Sequence, residues 1–200
     1  MNETQISKDI QLIRDMIEKT KEKAAESWKF FSAWGILIIA GIIGNYALVY
    51  FKRYNAIWIN WIGFMLIGVF VSIFYIGKKE KTSGARTYAQ IAIGHLSFAC
   101  GIGFMLAGFV FPMLKLYSYE DIPVIISMIV GILLFVIGGI YEWNLLKWSA
   151  LLWWMGSVGM IFIHWHYRAL ICIPLIILGY IVPGFILRSQ YKKEKLADES

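Results

Sequence analysis

The sequence predicts an all-α, polytopic membrane protein: a bundle of six transmembrane helices with an N-terminal amphipathic helix. Three observations carry this expectation. Stretches 30–51, 56–77, 88–111, 122–141, 148–166 and 169–187 contain no Asp, Glu, Lys or Arg, and one helical crossing of a bilayer takes roughly 20 such residues. Of the 200 residues, 59% are apolar and only 16% charged, against about 45–50% and about 25% in soluble domains. The remaining charges lie between the stretches or at the chain ends, so polarity alternates in blocks along the chain. The layout is a leading helix over 1–28, a six-helix domain over 29–188 and a tail over 189–200.

Ile6, Ile10, Ile13 and Ile17, continued by Thr20 and Ala24, recur at steps of three and four and draw an apolar seam along one helix face. Asp15 with Lys19 and Glu18 with Lys21 add acid-before-base pairs on the exposed side. A helix that lies on lipid is rich in Lys and Arg on its polar face, whereas residues 1–28 hold five bases and six acids. The seam therefore points to self-association or docking on a protein partner rather than to the bilayer surface. The segment is too acidic to be a secretory signal peptide.

Counting Lys and Arg fixes the expected orientation. With the amino terminus cytoplasmic, the inside segments hold six before the first span, four between the second and third, one between the fourth and fifth, and four in the tail. The outside connectors hold Lys52, Arg53, Lys115 and Arg168, so fifteen face four. Both termini are expected in the cytoplasm, with the chain in the cytoplasmic (inner or plasma) membrane. Trp28, Trp34, Trp58, Trp61, Trp143, Trp148 and Trp165 fall at span ends, where indoles favour the interface. The net charge of +6 flanks the spans and is not interleaved with base-stacking aromatics, so no nucleic-acid binding is expected.

Within the first two spans, Asn45 stands seven residues before Lys52 and Asn60 seven after Arg53, about 10 Å from the outer boundary on neighbouring helices. They are expected to hydrogen-bond each other, the alternative being a polar lining for a solute path. The third span carries Gly94, Gly101, Gly103 and Gly108 and is expected to be the central helix. Small residues four apart (Ala40 and Gly44, Ser97 and Gly101, Gly103 and Ala107, Ser127 and Gly131) should let backbones approach closely. His95 is the one titratable group well inside a span, expected as a structural hydrogen-bonding residue or, failing that, a proton relay alone or with Glu142. Cys100 and Cys172 lie at different depths and read as packing residues, not a disulfide.

Pro123, after Glu120 and Asp121, suits the first turn of the fourth span. Trp153 and Trp154 lie roughly 10 Å deep in the fifth and must pack on helices or lipid. Pro183, before Gly184, should kink the sixth by removing a backbone bond.

No catalytic chemistry is expected. Ser157 in Gly156-Ser157-Val158-Gly159 lacks the serine placement of intramembrane serine proteases, and no metalloprotease helix or phosphate-cradling loop is present. His164 and His166 are two apart and point about 200° from one another on a helix, so neither a metal nor another cofactor is expected. Gly35-Ile36-Leu37 recurs as Gly131-Ile132-Leu133, 96 residues on, but that offset carries the third span past the sixth. An inverted repeat is not expected on that basis.

The lead Ile10-Gln11-Leu12-Ile13-Arg14-Asp15-Met16-Ile17-Glu18, running into Trp34-Gly35 and five further short-looped spans, resembles uncharacterised small bacterial six-span membrane proteins with an N-terminal amphipathic helix. The resemblance implies a bacterial membrane and transfers no site residue. The expected function is that of a non-enzymatic integral membrane protein, an interaction or regulatory component docking through its N-terminal helix. The alternative is a small-solute transporter or channel with a path near Asn45, Asn60 and His95, which would lack a mid-membrane acid to couple ions.

Overall fold

The computed structural model describes residues 28–80, 88–186 and 188–189. The expected seam of Ile6, Ile10, Ile13 and Ile17, the 81–87 connector and the tail lie outside the described residues. Every element is helical. They are α1 (Trp28–Tyr50), α2 (Ile57–Glu80), α3 (Tyr88–Met113), α4 (Ile122–Ile140), α5 (Asn144–Ile161) and α6 (Trp165–Ile186), with 3-10 turns at Tyr54–Ala56 and Tyr119–Asp121. Pro123 falls in the first turn of α4. Among the described residues, five helices are long and apolar enough to cross a membrane; α5 is the one that falls short.

The last two helices do not coincide with the last two charge-free stretches. The fifth begins at Asn144 rather than 148 and ends at Ile161 rather than 166, and the sixth begins at Trp165 rather than 169. Lys147 and Arg168 sit in first turns, where a long basic side chain reaches back to water from a helix already formed. Charge marks the edge of the apolar layer, not the end of the helix.

Helices follow one another in space as α2, α1, α6, α5, α4, α3. The core is built chiefly from Leu134 and Ile137 of α4, Leu146, Ala150, Trp153 and Met160 of α5, and Cys172, Leu175 and Ile176 of α6, joined by Ile42 of α1. The expectation that α3 is central is overturned. A Cβ at Gly94, Gly101 or Gly108 would meet nothing within 4 Å, and Gly103 faces only Ile129. The centre is α5, which buries Leu146, Ser149, Ala150, Trp153, Ser157 and Met160. A helix enclosed by protein can carry serines and indoles, because neighbours satisfy their polar atoms. That enclosure is why the innermost helix is also the one that falls short in apolarity.

Three chain reversals share one geometry. Lys52, Lys115 and Glu142 adopt positive φ (55°, 59° and 55°) just past the ends of α1, α3 and α4. The residue after each returns its N–H five positions, Arg53 to Leu48, Leu116 to Phe111 and Trp143 to Gly138, at 2.8, 3.0 and 2.9 Å. These are Schellman endings with a charged residue where glycine is usual.

Candidate functional site

The three polar positions singled out in the sequence do not converge. Asn60 Nδ2 donates to the Gly41 carbonyl at 3.1 Å, and its Oδ1 lies where a Cβ on Gly44 would come within 2.6 Å. Asn60 thus fills the glycine notch of α1 and bonds backbone, not Asn45 as expected. Glycine at 41 and 44 brings the α1 backbone close enough to compete for the amide, which removes the Asn45 partner. Asn45 Oδ1 is buried without a hydrogen bond. His95 is exposed on the outward side of α3, and α3 has no packing seam with α1. Glu142 is also exposed and occupies the left-handed turn after α4, with no bond to His95.

The interior is closed instead by indoles seated on glycines. Trp34 of α1 lies over Gly68 of α2 and donates to Ser72 Oγ at 3.1 Å, while Ser72 donates to the Gly68 carbonyl at 2.8 Å. Trp154 of α5 covers Gly131 of α4 and donates to the Met128 carbonyl at 3.2 Å. Trp153, on the adjoining face, covers Gly179 of α6 and donates to its carbonyl at 3.3 Å. Ser157 donates to the Val124 carbonyl at 2.8 Å, and Ser127 Oγ lies 3.9 Å from Cys172 Sγ. Cys100 and Cys172 are both free and buried.

Sequence reasoning missed these indole–carbonyl bonds, although one signal for them was present. A proline has no N–H, so Pro183 leaves the Gly179 carbonyl without its helical donor. A π turn over Ile177–Ile181 precedes Pro183, and the chain continues helical to Ile186.

At the end of the bundle that holds the α1–α2, α3–α4 and α5–α6 connectors, Arg168 Nη1 pairs with Asp121 Oδ1 at 2.6 Å and Arg168 Nε donates to the Ile163 carbonyl at 3.3 Å. Tyr46 OH donates to the His166 carbonyl, tying α1 to the start of α6. His164 Nδ1 caps α6 by accepting the His166 N–H at 3.5 Å. Tyr117 OH donates to the Ala107 carbonyl. Burial, with the Asp121 carboxylate second, holds the Tyr117 hydroxyl above its ordinary pKa. An open depression of about 530 Å³ borders Lys52, Arg53 and Asn55 at the α1–α2 connector.

Comparison with protein families, curated proteins and solved structures finds no match to this chain.

Proposed function

We propose that this chain is a six-span, non-enzymatic integral protein of a bacterial cytoplasmic membrane, with both termini in the cytoplasm. It acts as an interaction or regulatory component and docks a second copy or another protein through residues 1–28. The observation that carries the reading is the packed interior: Asn60 is held by the Gly41 carbonyl, the Oδ1 atom of Asn45 is buried, and Trp34, Trp153 and Trp154 fill glycine notches. Such a bundle offers a scaffold, and the near-neutral isoleucine seam of the leading segment offers the contact. Deleting residues 1–27 should abolish partner capture or self-association while the bundle stays folded in detergent. Unchanged capture together with unchanged oligomeric state would remove the docking role. A reporter at Ser200 should be active on the cytoplasmic side.

A small-solute transporter or channel is the second reading, and one observation favours it. Two helices, α3 and α6, are interrupted by π turns ahead of prolines, as helices that line transport sites often are. Its test is solute flux in proteoliposomes against an Asn45→Leu variant.

A further inference from the structure

Helices α3 and α6 are interrupted in the same way. Leu106-Ala107-Gly108-Phe109-Val110-Phe111-Pro112 and Ile177-Leu178-Gly179-Tyr180-Ile181-Val182-Pro183 share one order: two apolar residues, glycine, an aromatic ring, two apolar residues, proline. In each, the first five residues form a single π turn, closed by Phe111 N–H to the Leu106 carbonyl and by Val182 N–H to the Ile177 carbonyl. A π turn followed by proline leaves carbonyls with no donor in their own helix. In α3 the carbonyl of Ala107, the second residue of the order, which the π turn leaves when Phe111 N–H bonds Leu106, takes the Tyr117 hydroxyl; in α6 the carbonyl of Gly179, the third residue, which Pro183 leaves without a donor, takes the Trp153 indole.

These helices are the third and the sixth, so each ends a group of three. An odd number of crossings per group turns the second upside down relative to the first. The packing obeys the corresponding exchange. Helix α1 packs on α2 as α4 packs on α5, and α3 with its π turn packs on α4 as α6 with its π turn packs on α1. A fixed sequence offset conceals this because the spacing between counterparts contracts, from 94 residues between Trp28 and Ile122 to 71 between Pro112 and Pro183. The exchange fails in one respect. Helix α6 packs on both α4 and α5 of its own group, whereas α3 has no such seam with α1 or α2 and meets α2 where Trp58 touches Phe109.

We propose that the chain consists of two inverted three-helix halves with matched hinges at the α3 and α6 π turns, the second half closed on its third helix and the first open. The closed half is latched by Trp153, which reaches from α5 to the carbonyl that the hinge releases. The Tyr117 hydroxyl comes from the connector after α3, not from α2, and so satisfies the first hinge without closing that half. Because both halves carry the same hinge, a conformation with the roles exchanged is open to the molecule: α2 closes on α3 while α5 withdraws from α6. This inference does not depend on what residues 1–28 bind.

Spin-label distances in lipid nanodiscs test it on the full chain, with Cys100 and Cys172 replaced by alanine. One pair of labels goes on Phe70→Cys of α2 and Phe98→Cys of α3, the other on Met155→Cys of α5 and Leu178→Cys of α6, all four positions being exposed. Each pair should give two distance populations, and Trp153→Phe should raise the short α2–α3 and the long α5–α6 populations together, by about threefold or more. A single distance in both pairs, or movement of one pair without the other, overturns the proposal. Hydrogen exchange of the unlabelled wild type and Trp153→Phe gives a readout free of label and cysteine changes. Faster exchange confined to 177–182 and the α5 face beside it supports the latch, and no change there overturns it.

Discussion

The α4–α5–α6 half and the α1–α2–α3 half are made of equally apolar-looking stretches, yet they are packed by different means. In the second half, α5 sends Trp154 to one neighbour and Trp153 to the other, and each indole rests on a glycine and donates to a backbone carbonyl. In the first half, Trp34 and Asn60 join α1 to α2, and α3 turns Gly94, Gly101 and Gly108 to open space. Lipid is as apolar as leucine, so apolarity does not decide which helices associate. What separates the halves is whether a glycine has an opposing side chain shaped to enter the notch and bond a carbonyl there.

The strongest way to break that contrast is to fill the notches. Gly131→Leu drives a side chain into the Trp154 indole and should destabilise the protein by about 2–3 kcal/mol or more through overpacking, whereas Gly101→Leu on open α3 should change stability little. Unfolding in mild detergent, followed for both variants, checks the pair; equal losses would erase the distinction between a filled and an empty notch. Next in size, Asn60→Ala removes the only side-chain bond to the Gly41 carbonyl among the described contacts and should cost about 1 kcal/mol, typical of an interhelical bond in a membrane. The effect should be confined to α1–α2 in hydrogen exchange.

Smaller, and opposite in sign, is Glu142→Gly. A non-glycine residue at φ 55° carries steric strain, so glycine there should stabilise the α4–α5 hairpin by about 0.5–1 kcal/mol, read as a raised unfolding midpoint. The least effect is expected from pH at the first half's hinge. The Tyr117 hydroxyl titrates above its ordinary value of 10.0, so folding favours its neutral form. Its contribution is whole below the unfolded value and is lost as pH rises through the folded one. An ultraviolet difference titration against Tyr117→Phe should show one late-ionising tyrosine, and an ordinary midpoint would mean that the hydroxyl is neither buried nor close to the Asp121 carboxylate.

Much of the helix inventory was legible in the sequence because a charge-free run of some twenty residues has few other uses. The ends of the fifth and sixth helices were not, since Lys147 and Arg168 stand inside first turns and look like boundaries. Glycine content misplaced the centre: a glycine permits close approach but does not state what approaches, and α5 wins by presenting Trp153 and Trp154 at neighbouring positions that face two helices. The Asn45–Asn60 pair failed for a related reason. Equal depth brings two amides to one layer, but the Gly41 carbonyl takes the Asn60 amide. The proline at 183 was visible, while the use made of the carbonyl it frees depended on a tryptophan 30 residues earlier.

The charged residues at the three left-handed turns have a mechanical consequence. Lys52, Lys115 and Glu142 sit where the chain doubles back, so any sliding of α1, α3 or α4 along its own axis toward the bilayer centre would drag an ion into hydrocarbon. That penalty is about 2.5–3.5 kcal/mol per charge at full depth, while thickness mismatch of an ångström is worth only fractions of that. Pistoning is thereby opposed, whereas tilt and swivel about the anchored ends carry no charge into hydrocarbon.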